Sequence, residues 1–226
     1  TDYISWMFNG IRQFLAVAVW FACFPLLLKK KYIPLIIIIF LLSTIHGSAL
    51  LLLPMIFIVQ GKAWNKKTLL FIVCVLLAII FVDRFTTILD DLLVSTQYEN
   101  LVSSEVWQQD DGTSFVRVLV YAVPTVLALI GRKQIKAADN KITNMCVNMS
   151  LLSTGLYFVS MFTSGILIGR LPIYFSLYNY ILLPWEIENI FTARSRKLLY
   201  PLMIGAYFVF YYYQLNYGWG IWNSGI

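Results

Sequence analysis

One histidine, three cysteines and eleven acidic residues are all that 226 residues offer to metal binding or acid–base chemistry. The cysteines, Cys23, Cys74 and Cys146, lie in apolar or near-apolar runs and form no CxxC pair. They read as small buried hydrophobes rather than as disulfide partners or metal ligands. With a lone histidine and no thiolate cluster, a transition-metal site is not expected. Glycine-rich phosphate loops, Asp-x-Asp pairs, HExxH and a recognisable Ser-His-Asp pattern are all missing, which argues against a nucleotide-sugar enzyme of the soluble type. There is no internal repeat and no low-complexity linker, and no signal peptide is expected within these residues. The chain opens on Thr1-Asp2-Tyr3 rather than Met, so residues 1–226 are expected to form a single transmembrane domain, the C-terminal part of a longer protein.

What fills the chain instead is apolar: 60% of residues are hydrophobic and only 12% charged, where soluble domains carry nearer a quarter charged. Long apolar runs predict an all-α, multi-pass integral membrane protein with about six to eight transmembrane or re-entrant helices. The expected spans are about Ile4–Leu28, Ile33–Val59, Thr68–Val82, Phe115–Ile130, Ile142–Ile168, Pro172–Ile190 and Tyr200–Tyr217. Residues 84–114 carry the acidic side chains Asp90, Asp91, Glu99, Glu105, Asp110 and Asp111 and read as an extramembrane loop, with an amphipathic helix about Ile88–Leu93. The net charge of +6 comes from short basic clusters between spans, the signature of cytoplasmic loops beside an anionic leaflet and not of nucleic-acid binding. The final Trp219–Trp222 tail reads as an interfacial anchor.

Ile33–Val59 decides the topology. If it crosses once, Lys62–Lys67, Arg132–Lys141 and Arg194–Lys197 fall on the side opposite Lys29–Lys31, against the positive-inside rule. If it turns back at Ser43-Thr44-Ile45-His46-Gly47-Ser48, every basic cluster is cytoplasmic and the acidic loop is external. Each arm would then be roughly 20 Å of helix, short for a ~30 Å core. Short, broken helices occur at membrane depth where they line a polar cavity. The hairpin reading brings Arg12, Asp83-Arg84, Arg170 and His46 near the outer leaflet, where charge is costly unless paired, hydrated or bound to an anion.

Each candidate has two readings. Arg12 either snorkels to the surface or, with Gln13 beside it, clamps an anion through its guanidinium fork. His46 is either a hydrogen-bonded imidazole at a helix break or a general base taking a proton from a sugar hydroxyl. Arg170 is an interfacial cap or a second anion ligand. Arg84 pairs with Asp83 or lines the same site. The acidic loop is a solvated surface or, through carboxylates and aromatics such as Tyr98 and Trp107, a glycan holder. Glu186 and Glu188 read as structural ion pairs with Arg194 and Arg196.

Asn9-Gly10-Ile11-Arg12-Gln13-Phe14-Leu15-Ala16, the lysine stop, Ser43-Thr44-Ile45-His46-Gly47-Ser48-Ala49-Leu50 and the later Arg170-Leu-Pro-Ile-Tyr174-Phe175 resemble the EpsG-type, Wzy-like polysaccharide polymerases of bacteria. The resemblance implies a metal-independent glycosyltransferase with a C-type membrane fold and no cofactor, in the bacterial cytoplasmic membrane with its site facing outside. Its substrates would be undecaprenyl-diphosphate-linked glycans, as donor and acceptor. Its partners would be the bilayer and the pathway's flippase and chain-length regulator. On this reading Arg12 and Arg170 neutralise the lipid diphosphate, His46 activates or orients the acceptor, and Gln13, Ser48, Arg84 and Tyr174 line the site. A lipid-linked glycan ligase, a flippase or transporter of lipid-linked oligosaccharides, and a structural partner in a secretion assembly are the competing readings.

Overall fold

The computed structural model describes residues 10–81, 88, 91, 112–163, 165 and 168–218. Among them the chain is all-helical, with no strand. In order come α1 (Ile11–Ala22), α2 (Phe24–Leu28), α3 (Tyr32–Ile45), a 3₁₀ segment (Gly47–Leu51), α4 (Leu52–Ile58), α5 (Lys66–Ile80), α6 (Phe115–Ile130), α7 (Arg132–Ala138), α8 (Lys141–Met161), a 3₁₀ turn (Ile168–Arg170), α9 (Ile173–Ser176), α10 (Asn179–Ile190) and α11 (Ala193–Tyr213). Arg84, Asp90, Glu99, Glu105, Asp110, Asp111 and Trp219–Trp222 lie outside the described residues, as does the expected helix about Ile88–Leu93 apart from residues 88 and 91.

α8 is the axis. It packs against α5, α6, α9, α10 and the 3₁₀ turn before α9. Among the described residues it is the one single helix long and apolar enough to cross a membrane, and 78% of its apolar window is buried inside the protein. α6 and α7 pass the same test together but bend by 69° at Gly131. The other apolar helices, Ile11–Ala22, Tyr32–Ile45 and Gly47–Ile58, are shorter than that, so the described residues show one helix of spanning length, or two if the bent pair is one span, against the six to eight expected. The expected first span is interrupted at Cys23, just before Pro25 of α2. Proline cannot donate its backbone N–H, which fits a break there.

Despite its burial, α8 is studded with polar side chains that join it to its neighbours. Thr125 of α6 lies 2.8 Å from both Ser150 and Thr154 hydroxyls. Such contacts fasten helices where lipid supplies no hydrophobic drive between them. Gly155 lets α5 approach closely: a Cβ there would meet Phe71 at 3.1 Å and Val75 at 3.3 Å. Cys146 is fully buried in this core, Cys23 is half-buried and Cys74 is exposed on α5; all three are free thiols. The expectation of three buried cysteines fails at Cys74, on a helix that buries only Thr68 and Val75.

Ile33–Val59 is a hairpin. His46 has extended backbone (φ −150°, ψ 114°), ending α3 before the 3₁₀ segment begins. The Tyr32 and Phe57 rings lie 5.1 Å apart. One straight helix would separate those residues by about 38 Å. At the foot of the hairpin, Gln60 Nε2 donates to the Leu27 carbonyl at 2.9 Å. This sets Lys29–Lys31 and Lys62–Lys67 at the same end of the molecule.

Other contacts bring the remaining basic loops to that end. Asn148 Nδ2 donates to the Val59 and Lys62 carbonyls (3.0 and 3.2 Å), and its Oδ1 accepts from Trp64 N–H at 3.1 Å and Thr68 Oγ1 at 3.5 Å. Lys62 Nζ reaches Asp139 Oδ2 at 3.1 Å. The Arg132 guanidinium sits 5.6 Å from the Trp64 ring centroid, a cation–π contact. Gly131 abuts Ile190, where a Cβ would come within 2.1 Å of the Ile190 side chain, and so brings the Arg194–Lys197 segment alongside. α11 starts earlier than expected because Thr192 caps it, accepting from Ser195 N–H.

Glu188 pairs with Arg196 and accepts from Tyr200 Oη at 2.7 Å. Glu186 does not pair: it is fully buried, and neither carboxylate oxygen has a hydrogen-bond partner. The expectation of two similar ion pairs fails because residues two apart on a helix point about 200° from each other. Only Glu188 can face the basic loop.

Candidate functional site

The opposite end of the bundle holds the histidine. Arg12 lies one residue inside the start of α1, about 25 Å along the helix from Lys29 at ~1.5 Å per residue. His46 sits at the hairpin tip and Arg170 ends the 3₁₀ turn before α9. Three separate chain segments therefore deliver these groups. The contacts of α1 with α3, with the 3₁₀ segment and with α9 hold them together.

Two hydrogen-bond systems shape the cluster. In the first, His46 Nδ1 lies 2.7 Å from Ser48 Oγ, and Ser48 Oγ lies 3.1 Å from Tyr174 Oη. The extended backbone at His46 and the tight 3₁₀ turn after it bring Ser48 back beneath the ring. Engaging Nδ1 leaves Nε2 as the nitrogen for a ligand. Tyr174 is fully buried, so it reaches the cluster from inside the protein and touches Ser48 instead of presenting a surface. Ser153 of α8 donates to the Pro172 carbonyl at 3.4 Å and braces the turn that carries Tyr174. Sequence reasoning passed over Ser153; its only signal is a hydroxyl in the middle of an apolar helix.

In the second system, Gln13 Nε2 donates to the Arg170 carbonyl at 2.9 Å. Gln13 is buried, and its Oε1 has no hydrogen-bond partner. The amide thus joins α1 to the turn before α9 and fixes the spacing between the two arginine-bearing segments.

Among the described residues, the charges that act on the His46 imidazole are those of Arg12 and Arg170. Arg12 is exposed and Arg170 half-buried. Among the described residues neither guanidinium has an acidic partner. Two guanidiniums and an imidazole Nε2 that have no partner among the described residues can bind a polyanion and exchange a proton beside it. Among the described residues no group of three or more His, Cys, Asp and Glu is gathered as a metal site would need. Of the residues singled out from sequence, Arg12, Gln13, His46, Ser48, Arg170 and Tyr174 meet at this end; Arg84 lies outside the described residues. A separate cavity of about 290 Å³ between α6, α10 and α11 is lined by Val123, Leu127, Ile187, Leu202 and Met203 among others, and contains none of the site residues.

An all-helical bundle of apolar helices, with a histidine–arginine cluster at one end and its lysines at the other, has the make-up of a helical membrane protein. The chain matches the model of the EpsG family over residues 2–220 and belongs to that family, which is one of Wzy-like polysaccharide polymerases. No curated protein and no solved structure matches the chain.

Proposed function

We propose that this chain is a multi-pass polymerase of the bacterial cytoplasmic membrane that joins undecaprenyl-diphosphate-linked repeat units on the outer face. The reading is supported by the convergence of Arg12, His46 and Arg170 at the end away from the lysine-rich loops. Positive loops belong on the cytoplasmic side, so the cluster faces out.

The reaction needs no redox partner. An acceptor sugar hydroxyl attacks the anomeric carbon of the donor glycan. The C–O bond to the diphosphate breaks, and undecaprenyl diphosphate leaves with the electron pair. Arg12 and Arg170 stabilise the charge developing on the leaving diphosphate, which fixed cations do without reorganising. His46 Nε2 takes the acceptor proton. In that role Nδ1–H donates to Ser48 Oγ and Ser48 donates on to Tyr174, which selects the tautomer whose Nε2 is basic. Metal independence follows in this reading from the two guanidiniums carrying the work a divalent cation does elsewhere. The acidic loop and Arg84 would contact the glycan and the diphosphate from outside.

The test is purified protein given lipid-linked repeat units with no other enzyme. A ladder of lengthened lipid-linked glycans is the expected product. Transfer only to a different acceptor would assign a ligase. Movement of the unit across a vesicle bilayer without lengthening would assign a flippase, a reading favoured by the helix break at His46, since broken helices also build transport sites.

A further inference from the structure

Arg170 is held from two sides, and only one of them, Gln13, has been described. The other begins at Gly112, just before α6. Gly112 has φ +73°, and a Cβ there would press within 2.7 Å of the Ser160 carbonyl and 2.8 Å of the Met161 carbonyl. This lets the strand of chain entering α6 lie directly on the end of α8. Thr113 N–H then donates to the Ser160 carbonyl at 3.1 Å. The Thr113 and Ser160 hydroxyls lie 2.8 Å apart, and Ser160 Oγ lies 2.7 Å from the Tyr157 carbonyl. A hydroxyl has one proton, so Ser160 shares its own between the Thr113 hydroxyl and the Tyr157 carbonyl. Thr113, Ser160 and Gly169 are all buried.

Gly169 closes the arrangement. A Cβ there would meet Thr113 Oγ1 at 2.5 Å and Ser160 Oγ at 3.6 Å. The Gly169 backbone therefore rests on the Thr113–Ser160 pair, and the next residue is Arg170, whose carbonyl is taken by Gln13. The Arg170 backbone is thus held between α1 on one side and the start of α6 with the end of α8 on the other.

We infer that Thr113, Ser160 and Gly169 form a clasp that positions Arg170 for the lipid diphosphate. They are positioning residues, not catalytic ones, and the inference rests on the reading of Arg170 as a diphosphate ligand. The clasp explains why a glycine precedes Arg170 although its φ demands none: the space is filled by a threonine hydroxyl. It also means that the chain leaving the acidic segment ends on the residue that sets the arginine.

The test measures binding of undecaprenyl diphosphate to the purified protein, with thermal unfolding followed in parallel. Arg170→Ala is the reference for full loss. Gly169→Ala should weaken binding about tenfold or more, since displacements near 1 Å in positioning groups cost on that order. Thr113→Ala/Gly169→Ala, which removes the colliding hydroxyl, should bind within about threefold of Thr113→Ala alone, because contacting residues are not additive. Thr113→Ser should keep binding and Thr113→Val should lose it, an arm that stands even if Gly169→Ala does not fold. Wild-type binding by Gly169→Ala or by Thr113→Val, with Arg170→Ala inactive in binding, overturns the clasp alone. Undiminished binding by Arg170→Ala overturns the diphosphate reading and the clasp with it. A double variant bound about tenfold or more weaker than Thr113→Ala alone removes the steric basis and overturns the inference.

Discussion

The two ends of this bundle treat positive charge in opposite ways. At the lysine end, Lys62 has Asp139, Arg132 has the Trp64 ring and Arg196 has Glu188. The loops there are tied to the bundle by Asn148 and Gln60. At the histidine end, Arg12 and Arg170 have no acidic partner among the described residues, yet the backbone around them is closely fixed. On the proposed reading, the two guanidiniums at the histidine end are the ones held open for a ligand. An unpartnered cation within a membrane is costly, which is the physical basis of that reading.

The largest effect should come from disturbing the open end. Arg12→Ala, His46→Ala and Arg170→Ala should each shorten or abolish polymer, with losses of about 100-fold or more, the scale for removing one stabilising charge or a general base. Polymer length on gels at matched expression is the measurement. Lysine at position 12 or 170 should restore only part of the activity, because an ammonium cannot make the two-point contact of a guanidinium. Normal long-chain polymer from all three alanine variants would erase the contrast between the ends.

Next come the residues behind the imidazole. Ser48→Ala and Tyr174→Phe leave the backbone and packing in place but break the relay at its two distances of 2.7 and 3.1 Å. About a tenfold loss is expected for Ser48→Ala, less than removing the base itself. The acid limb of its pH–rate profile should move, which a purely structural defect would not cause. Unchanged rate and profile would mean that His46 is oriented by its backbone alone.

Much of this contrast was legible in the residues. The run Ser43–Ser48, polar in an otherwise apolar stretch, marked the turn, and the sign of the later loops favoured it over a single crossing. The Arg-Gln pair in α1 and the arginine before Pro172 marked the open end. What was not legible is how side chains face within buried helices. Glu186 and Glu188 look alike in sequence, but one is fully buried and the other meets Arg196. Tyr174 reads as a site-lining aromatic, but its ring is buried and only its hydroxyl meets Ser48. Asn148 was invisible because a polar residue in an apolar helix of low amphipathicity gives no sign of its face. Partners 80 or more positions away decide it.

Asn148 offers the sharpest probe of the partnered end. Asn148→Ala strips hydrogen bonds from the Val59 and Lys62 carbonyls and from Trp64 N–H. Leaving buried backbone groups unsatisfied costs about 1–3 kcal/mol each, so a loss of at least about 2 kcal/mol is expected. Thermal or denaturant unfolding in detergent would read it. Activity per folded molecule should stay at the wild-type level, since the site lies at the other end. A variant as stable as wild type but inactive would mean that the lysine end takes part in the chemistry.

The smallest effect belongs to Asp139. Its carboxyl sits below the ordinary aspartate range because Lys62 and the Asn144 amide donate to it. A carboxyl whose pKa falls on folding adds stability above its unfolded value, and that contribution disappears as pH drops through the folded value. Asp139→Asn keeps the left-handed backbone (φ 38°), which asparagine tolerates. Wild type should therefore be slightly the more stable at neutral pH, and the two should converge in acid. Both partners are largely solvated, at 81% and 50% side-chain exposure, so the difference should be slight and should fade in high salt. A gap that persists in salt and in acid would mean that the backbone at position 139, not the charge, matters. A fall in polymer length would mean that the partnered end is not merely structural, and the division between the two ends would fail.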